Sequence, residues 1–328
     1  MRRIGLAVVL ALSLVLAPIA GEAQQVKVYR VGVLNQDSPR APGSPPGILT
    51  RALRDLGYIE GQNIVLDRRW AEGKNERYSS LATELVALKP DVIVADTTPA
   101  VIAAKRATAT IPIVMVLASD PVGSGFVESL AHPGGNVTGV TSLETELHVK
   151  SVELLHAVVP KATRVAVLMS DNPVHPSQLK AIQDAARGFG LTVLPTMVRS
   201  SDDFEEAFRS MAKQKAGALI VLGGSPFNSA QGALDKLLKL AAKAKLPATY
   251  RSPNEVEAGG LLSYGANNAK NWSLAATYVD KILKGAKPAD LPVQQPTEFE
   301  LAVNMKTAKA LGLTIPQSVL LRADQIIQ

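Results

Sequence analysis

Five times along this chain an apolar run ends in small polar residues followed at once by proline. The instances are Asp96-Thr97-Thr98-Pro99, Ser119-Asp120-Pro121, Ser170-Asp171-Asn172-Pro173, Gly223-Gly224-Ser225-Pro226 and Arg251-Ser252-Pro253. Ser, Thr, Asp or Asn before proline is helix-start chemistry. The side chain accepts from free N–H groups of the first turn, and proline takes a position where no N–H is needed. Such starts leave unpaired N–H groups and a positive dipole end, which favour a carboxylate or another anion. Taken singly each is a cap; repeated in both halves of the chain, they predict a shared binding cleft. The candidate ligands are Thr97, Thr98 and Asp120, with the N–H groups after Pro99, from the first half. Asp171, Asn172, Ser225 and Tyr250 answer from the second half, and Asp120 or Asp171 would hold an ammonium group. Asn35 ends the first apolar run, and Tyr264 lies in a glycine-rich crossing; both join the set.

Covalent and metal chemistry find no matching constellation. There is no cysteine, and the four histidines, His132, His148, His156 and His175, lack a metal-ligand spacing such as H-E-x-x-H. No dinucleotide or P-loop signature follows an apolar run. Val122-Gly123-Ser124-Gly125 lacks the first glycine of a nucleophile elbow. Glu144 and Glu146 are expected on a solvated segment, and His148 and His156 on the polar or flanking faces of one helix. The expectation is therefore a binding protein without catalytic residues, cofactor or metal. Aromatic residues make up 4%, so stacking platforms are few; Tyr250, Tyr264 and Phe227 are the candidates.

The elements that must carry these residues read as an alternation. Val28–Leu34, Ile64–Arg69, Asp91–Ala95 and Ile111–Leu117 are short apolar strands, with helical patterns over Ile48–Leu56, Glu76–Leu88 and Pro99–Ala109 between them. The rhythm restarts with strands at Arg164–Met169, Leu191–Met197, Ala218–Leu222 and Pro247–Tyr250 and helices at Ser177–Phe189, Asp203–Gln214 and Ala230–Ala244. Strands apolar throughout, alternating with helices, indicate a parallel sheet covered on both faces. The fold class is thus α/β: two doubly wound parallel-sheet lobes joined by a multi-strand hinge. Crossings are expected at Gly134–Val140, near Gly259–Gly265 before a helix at Trp272–Leu283, and at Lys287–Pro296. These divide the chain into a first lobe, 26–140 plus 262–287, and a second, 141–261 plus 288–328.

The chain opens Met1-Arg2-Arg3, continues apolar from Ile4 to Ala17, and offers Gly21-Glu22-Ala23. A charged start, an apolar core and a small-x-small site form the layout of a secretory signal, expected over residues 1–23 with cleavage near Ala23. The apolar run is shorter than the ~20 residues that span a bilayer. A soluble, exported, periplasmic protein is expected, touching the membrane only through a partner. Net charge is +6, but Lys and Arg are scattered among acids, so no nucleic-acid surface is expected.

Several stretches together resemble one family, the tryptophan/tyrosine-type ABC transporter substrate-binding proteins. They are LRDLGYIEGQNIVLDRR (Leu53–Arg69), LATELVALKPD (Leu81–Asp91), ATIP (Ala109–Pro112) and Asp120-Pro121. They continue with LAHPGGNVTGV (Leu130–Val140), GGLLSYG (Gly259–Gly265), YVDKILKGAKPADLP (Tyr278–Pro292) and EFELAVNMKTAKALGLTIP (Glu298–Pro316). The resemblance implies a type I periplasmic-binding fold, three hinge crossings, a small-molecule ligand, and a permease and an ATPase as partners. Asp37–Gly47 and Tyr250–Glu257 depart from the family pattern and would line the cleft. Two other readings stay open: a ligand sensor passing its closed state to a signalling partner, and a secreted α/β enzyme.

Overall fold

The computed structural model describes residues 27–39, 41, 43–44, 46–224, 226–227 and 232–328. The expected signal segment, residues 1–23, and Ser225 lie outside the described residues. Strands β1 (Tyr29–Asn35), β2 (Ile64–Trp70), β3 (Val92–Ala95), β4 (Ile113–Ser119) and β5 (Val137–Ser142) form an all-parallel sheet in the order β2-β1-β3-β4-β5. Helices α1 (Ile48–Asp55), α2 (Tyr78–Ala87) and α3 (Thr98–Ala107) connect them. The residues of β3 show why the strand reads as continuous apolar sequence. Ile93 and Ala95 pack with Leu81, Leu85, Val101 and Ala104 of α2 and α3. Val92 and Val94 point the other way, into a core with Leu49 and Leu53 of α1 and Ala275, Ala276 and Val279 of a later helix, α9 (Asn268–Leu283). Successive side chains alternate between faces and both faces are dry, so no position is left for a polar residue.

The second sheet has seven strands. They are β6 (Arg164–Met169), β7 (Thr192–Met197), β8 (Ala218–Val221), β9 (Ala248–Tyr250), β10 (Leu262–Ala266), β11 (Phe299–Asn304) and β12 (Gln325–Ile327), in the order β12-β11-β10-β9-β8-β6-β7. All pairs are parallel except β10 with β11. Helices α4 (Glu144–Val158), α5 (His175–Arg187), α6 (Phe204–Lys213), α7 (Ala233–Lys243), α8 (Pro253–Glu257), α10 (Met305–Ala310) and α11 (Gln317–Leu320) belong to this half of the chain.

Two stretches differ from the sequence expectation. Val137–Ser142, expected within a crossing, is a strand paired with β4. Its β-branched Val137, Thr138 and Val140 are buried, and Gly139 alone lets the two backbones approach: a Cβ there would stand 2.2 Å from the Met115 carbonyl oxygen. Leu262–Ala266, also expected as a crossing of the first lobe, is hydrogen-bonded between β9 and β11 in the second sheet. The chain therefore passes between sheets at Ser142–Glu144, at Ala266–Asn268 and between Gln294 and Phe299. In the last of these, Val293 is buried in the first sheet's core and Gln294 bridges Val140, whereas Phe299 already pairs with Ala266.

Candidate functional site

A cavity of about 870 Å³ lies between the two sheets, and each contributes the carboxyl ends of its strands. That is the position at which open parallel α/β sheets take up ligands, and the volume is of the size of small-molecule sites. From the first sheet come Asp96, Thr97 and Thr98 after β3 and Leu117 and Ser119 of β4. The second brings Asn172 and His175 after β6, Gly223 and Gly224 after β8, and Arg251 to Glu255 after β9. Trp272 of α9 supplies the one aromatic ring among the described lining residues apart from the His175 imidazole.

On the first-sheet wall Asp96 is buried. The Gln36 N–H donates to its Oδ2 at 2.7 Å, and among the described residues its Oδ1 has no hydrogen-bond partner. Burial away from water pushes this carboxyl up to about 7, and the charge of Asp37 adds to the shift. Thr97 shares a hydrogen bond of 3.1 Å with the Tyr78 hydroxyl. Thr98 opens α3, and its Oγ1 accepts from the Ser119 N–H at 3.0 Å. Ser119 and Ser142 hydroxyls meet at 2.9 Å, so the start of α3 is tied through β4 to the first crossing.

The opposite wall holds a buried polar network. Arg251 donates through Nε and Nη2 to the two carboxylate oxygens of Glu144, each at 2.8 Å. Burial works against the charge of Glu144, yet the guanidinium outweighs it and holds the carboxyl below the usual range. Glu255 accepts from the N–H groups of Arg251 (2.9 Å) and Ser252 (2.7 Å), forming a capping box at the start of α8. His175 Nδ1 accepts from the Ser170 N–H at 2.9 Å and Nε2 faces the Gly223 carbonyl at 3.1 Å. Burial lowers the tendency of His175 to protonate, which fits a neutral ring donating through Nε2. His148, buried beside Glu144, is pushed down to about 4 by burial. Among the described residues no group of three His, Cys, Asp or Glu side chains is arranged to hold a metal.

A family model described as ABC transporter substrate binding protein matches residues 45–327. The chain belongs to that family. It is 31% identical over 265 residues to the tyrosine-binding protein of Clostridioides difficile, covering 80% of this chain and 75% of the relative. An ABC domain from Streptococcus pneumonia solved in complex with L-Trp has a TM-score of 0.79 and 28% identity, over 92% of this chain and all of that one. A ligand-free, open substrate binding protein with adhesive properties from Clostridium difficile matches the same share of both chains at 26% identity, with a TM-score of 0.61. This is accordingly an ABC transporter substrate-binding protein and not an enzyme; the family works outside the cytoplasm. No helix among the described residues is long and apolar enough to cross a membrane.

Of the strand-end residues singled out in the sequence of this binding protein, Thr97, Thr98 and Asn172 line the cavity. Asn35 closes β1 immediately before Gln36, which does line it, and Pro99 sits behind Thr98 in the first turn of α3. Asp120 faces its own turn, accepting from the Gly123 N–H at 2.9 Å. Asp171 accepts from Asn75 Nδ2 at 3.0 Å, a contact between the two halves. Tyr250 is buried in the second sheet's core with Phe227, and Tyr264 lines a separate outer groove with Phe299 and Arg322. Glu146 is exposed as expected for a solvated segment, but Glu144 is not: its side chain is 12% exposed and paired. Glu144 and Arg251 are 107 residues apart, and no local pattern joins them. The signal for Trp272 was available, since it stands in an amphipathic helix next to a crossing.

Proposed function

We propose that this protein captures an amino acid between its two sheets outside the cytoplasm and delivers it to the permease and ATPase of an ABC importer. Residues 1–23 would direct it to the periplasm. The observation that carries the ligand class is the pair of acceptors left unmatched in the cavity wall, Asp96 Oδ1 from the first sheet and Gln178 Oε1 from the second. Buried acceptors without donors are costly, and a ligand ammonium or N–H supplies donors to both. Trp272 gives an aromatic side chain a face to pack on, and tyrosine and L-Trp are the ligands named for two relatives. Thr97, Thr98 and Asn172 complete the polar contacts from the two walls. The higher TM-score to the L-Trp complex than to the ligand-free open structure supports reading the arrangement as the closed form. Binding energy then comes from contacts that both walls make at once, which is what biases a hinge toward closure.

Isothermal titration of the purified protein against the twenty amino acids, benzoate, succinate and a nucleoside tests this. Saturable binding of one or a few amino acids, aromatic ones first, is expected. Binding confined to the ligands without an amino group would replace the reading with a carboxylate or nucleoside carrier.

A further inference from the structure

The cavity wall is rich in acids. Its described lining residues include Asp96, Glu144, Glu255 and Glu300, while Arg251 is the only Lys or Arg among them. Such a wall repels a free carboxylate, so among the described residues an acidic ligand group has one cationic place to settle. Arg251 is built to present it. Its two bonds to Glu144 occupy Nε and Nη2 and fix the plane of the guanidinium, leaving Nη1 without an acceptor among the described residues. Glu255 holds the Arg251 backbone N–H. Two glycines make room for it: a Cβ on Gly223 would stand 1.9 Å from Nη1, and one on Gly265 would stand 1.8 Å from the Arg251 carbonyl oxygen. Gly223 itself lines the cavity, which puts the free end of the fork at the wall. A guanidinium stays charged at any working pH, and its planar N–H groups match a carboxylate.

The geometry points to Arg251 as the anchor for the ligand's carboxylate through Nη1, setting the selectivity of this cavity for amino acids over their amides. Glu144 is its positioning residue. The proposal rests on the amino-acid reading above and adds the group that recognises the acid. It also places recognition next to the hinge, because Glu144 begins α4 directly after the Ser142 crossing. Ser142 is joined through Ser119 to Thr98, so the two walls meet the carboxylate end of the ligand through one short chain of contacts.

The test is a titration with L-tyrosine and L-tryptophan, each against its amide, on the wild-type protein, Arg251→Gln and Arg251→Lys. The wild type is expected to bind an acid roughly a hundredfold more tightly than its amide, the scale of losing a buried charged partner. Arg251→Gln should bring acid and amide within about threefold of each other, and Arg251→Lys, which keeps the charge without the fork, should retain part of the preference. Because Arg251→Gln leaves Glu144 as an unpaired buried charge, the double variant Glu144→Gln/Arg251→Gln is measured as well, with cooperative unfolding as the check on folding. The same loss of preference is expected there. A preference unchanged in the folded variants, or a wild type that binds amides as tightly as acids, overturns Arg251 as the anchor and leaves the amino-acid reading standing. A wild type that binds neither acids nor amides overturns both.

Discussion

The N–H of Gln36 donates to Asp96 Oδ2 at 2.7 Å, joining the ends of two adjacent parallel strands in the floor of the cavity. The hydrogen bonds it receives do not compensate for the burial of a carboxylate, and the group is pushed up to about 7 from 3.8. Between those values the native protein holds a proton that the unfolded chain has released, so native stability falls as pH rises from about 4 to 7 and levels off above. The full effect is on the order of 4 kcal/mol. Asp96→Asn keeps an acceptor for Gln36 and removes the titration. Urea denaturation at pH 5 and pH 8 should show the variant gaining on the wild type as pH rises. Parallel curves for the two proteins would mean that Asp96 is ionised throughout.

A ligand cation beside Asp96 reverses the preference, since it favours the ionised carboxylate. Below pH 7 amino-acid binding should therefore release a proton, visible as a binding enthalpy that changes with the ionisation enthalpy of the buffer. At pH 6 the wild type should show this dependence and Asp96→Asn should lose it. A buffer-independent enthalpy in the wild type would place the ammonium away from Asp96.

Asn75 Nδ2 and Asp171 Oδ1 meet at 3.0 Å between the halves of the molecule, on the exposed side of the cleft. A solvent-exposed hydrogen bond of this kind is worth about 0.5–1.5 kcal/mol. It exists only while the walls are together, so its loss acts on closure. Asn75→Ala should weaken ligand binding by roughly two- to tenfold, mainly through faster release, with little change in the unfolding midpoint of the free protein. Stopped-flow release of bound ligand measures it, and an unchanged release rate would show that this contact does not hold the cleft shut.

The chain has two tryptophans, Trp70 in β2 and Trp272 in the cavity wall. In Trp70→Phe the protein's remaining tryptophan emission comes from Trp272 alone. Ligand binding should shift and change that emission, whereas Trp272→Phe should leave the signal of Trp70 nearly flat. The reverse assignment would move the aromatic face of the site away from α9.

How much of this was open to reading depended on how local each cause is. The alternation of apolar strands and amphipathic helices is written residue by residue, because burial on both faces excludes polar positions, and β3 is an example. The strand ends were marked by small polar residues before proline, and Thr97, Thr98 and Asn172 stand in the cavity wall. Sequence could not show which polar residues turn toward a partner far along the chain. Asp171 meets Asn75 across 96 positions, and Arg251 meets Glu144 across 107. Two of the three crossings were misplaced for a related reason. Gly139 and Gly265 look like loop residues, yet each serves a close approach of backbones inside or beside a strand.

Gly139 offers the sharpest test of that last point. Its φ is 125°, a conformation side chains disfavour, and a Cβ would also stand 2.2 Å from the Met115 carbonyl oxygen and 2.8 Å from its nitrogen. These are backbone atoms in the middle of β4 and have no rotamer by which to escape. Gly285, with φ of 100°, has open space where its Cβ would be, so it separates the two costs. Gly285→Ala should lose about 1–2 kcal/mol from the backbone conformation alone. Gly139→Ala should lose distinctly more, roughly 3 kcal/mol or beyond, because β5 must also move off β4. That movement reaches the third crossing, since the Gln294 N–H donates to the Gly139 carbonyl at 2.9 Å. Ligand affinity should therefore fall in Gly139→Ala and stay unchanged in Gly285→Ala. Equal losses of stability in the two variants would mean that the strands are not packed so closely, and equal affinities would uncouple β5 from the hinge.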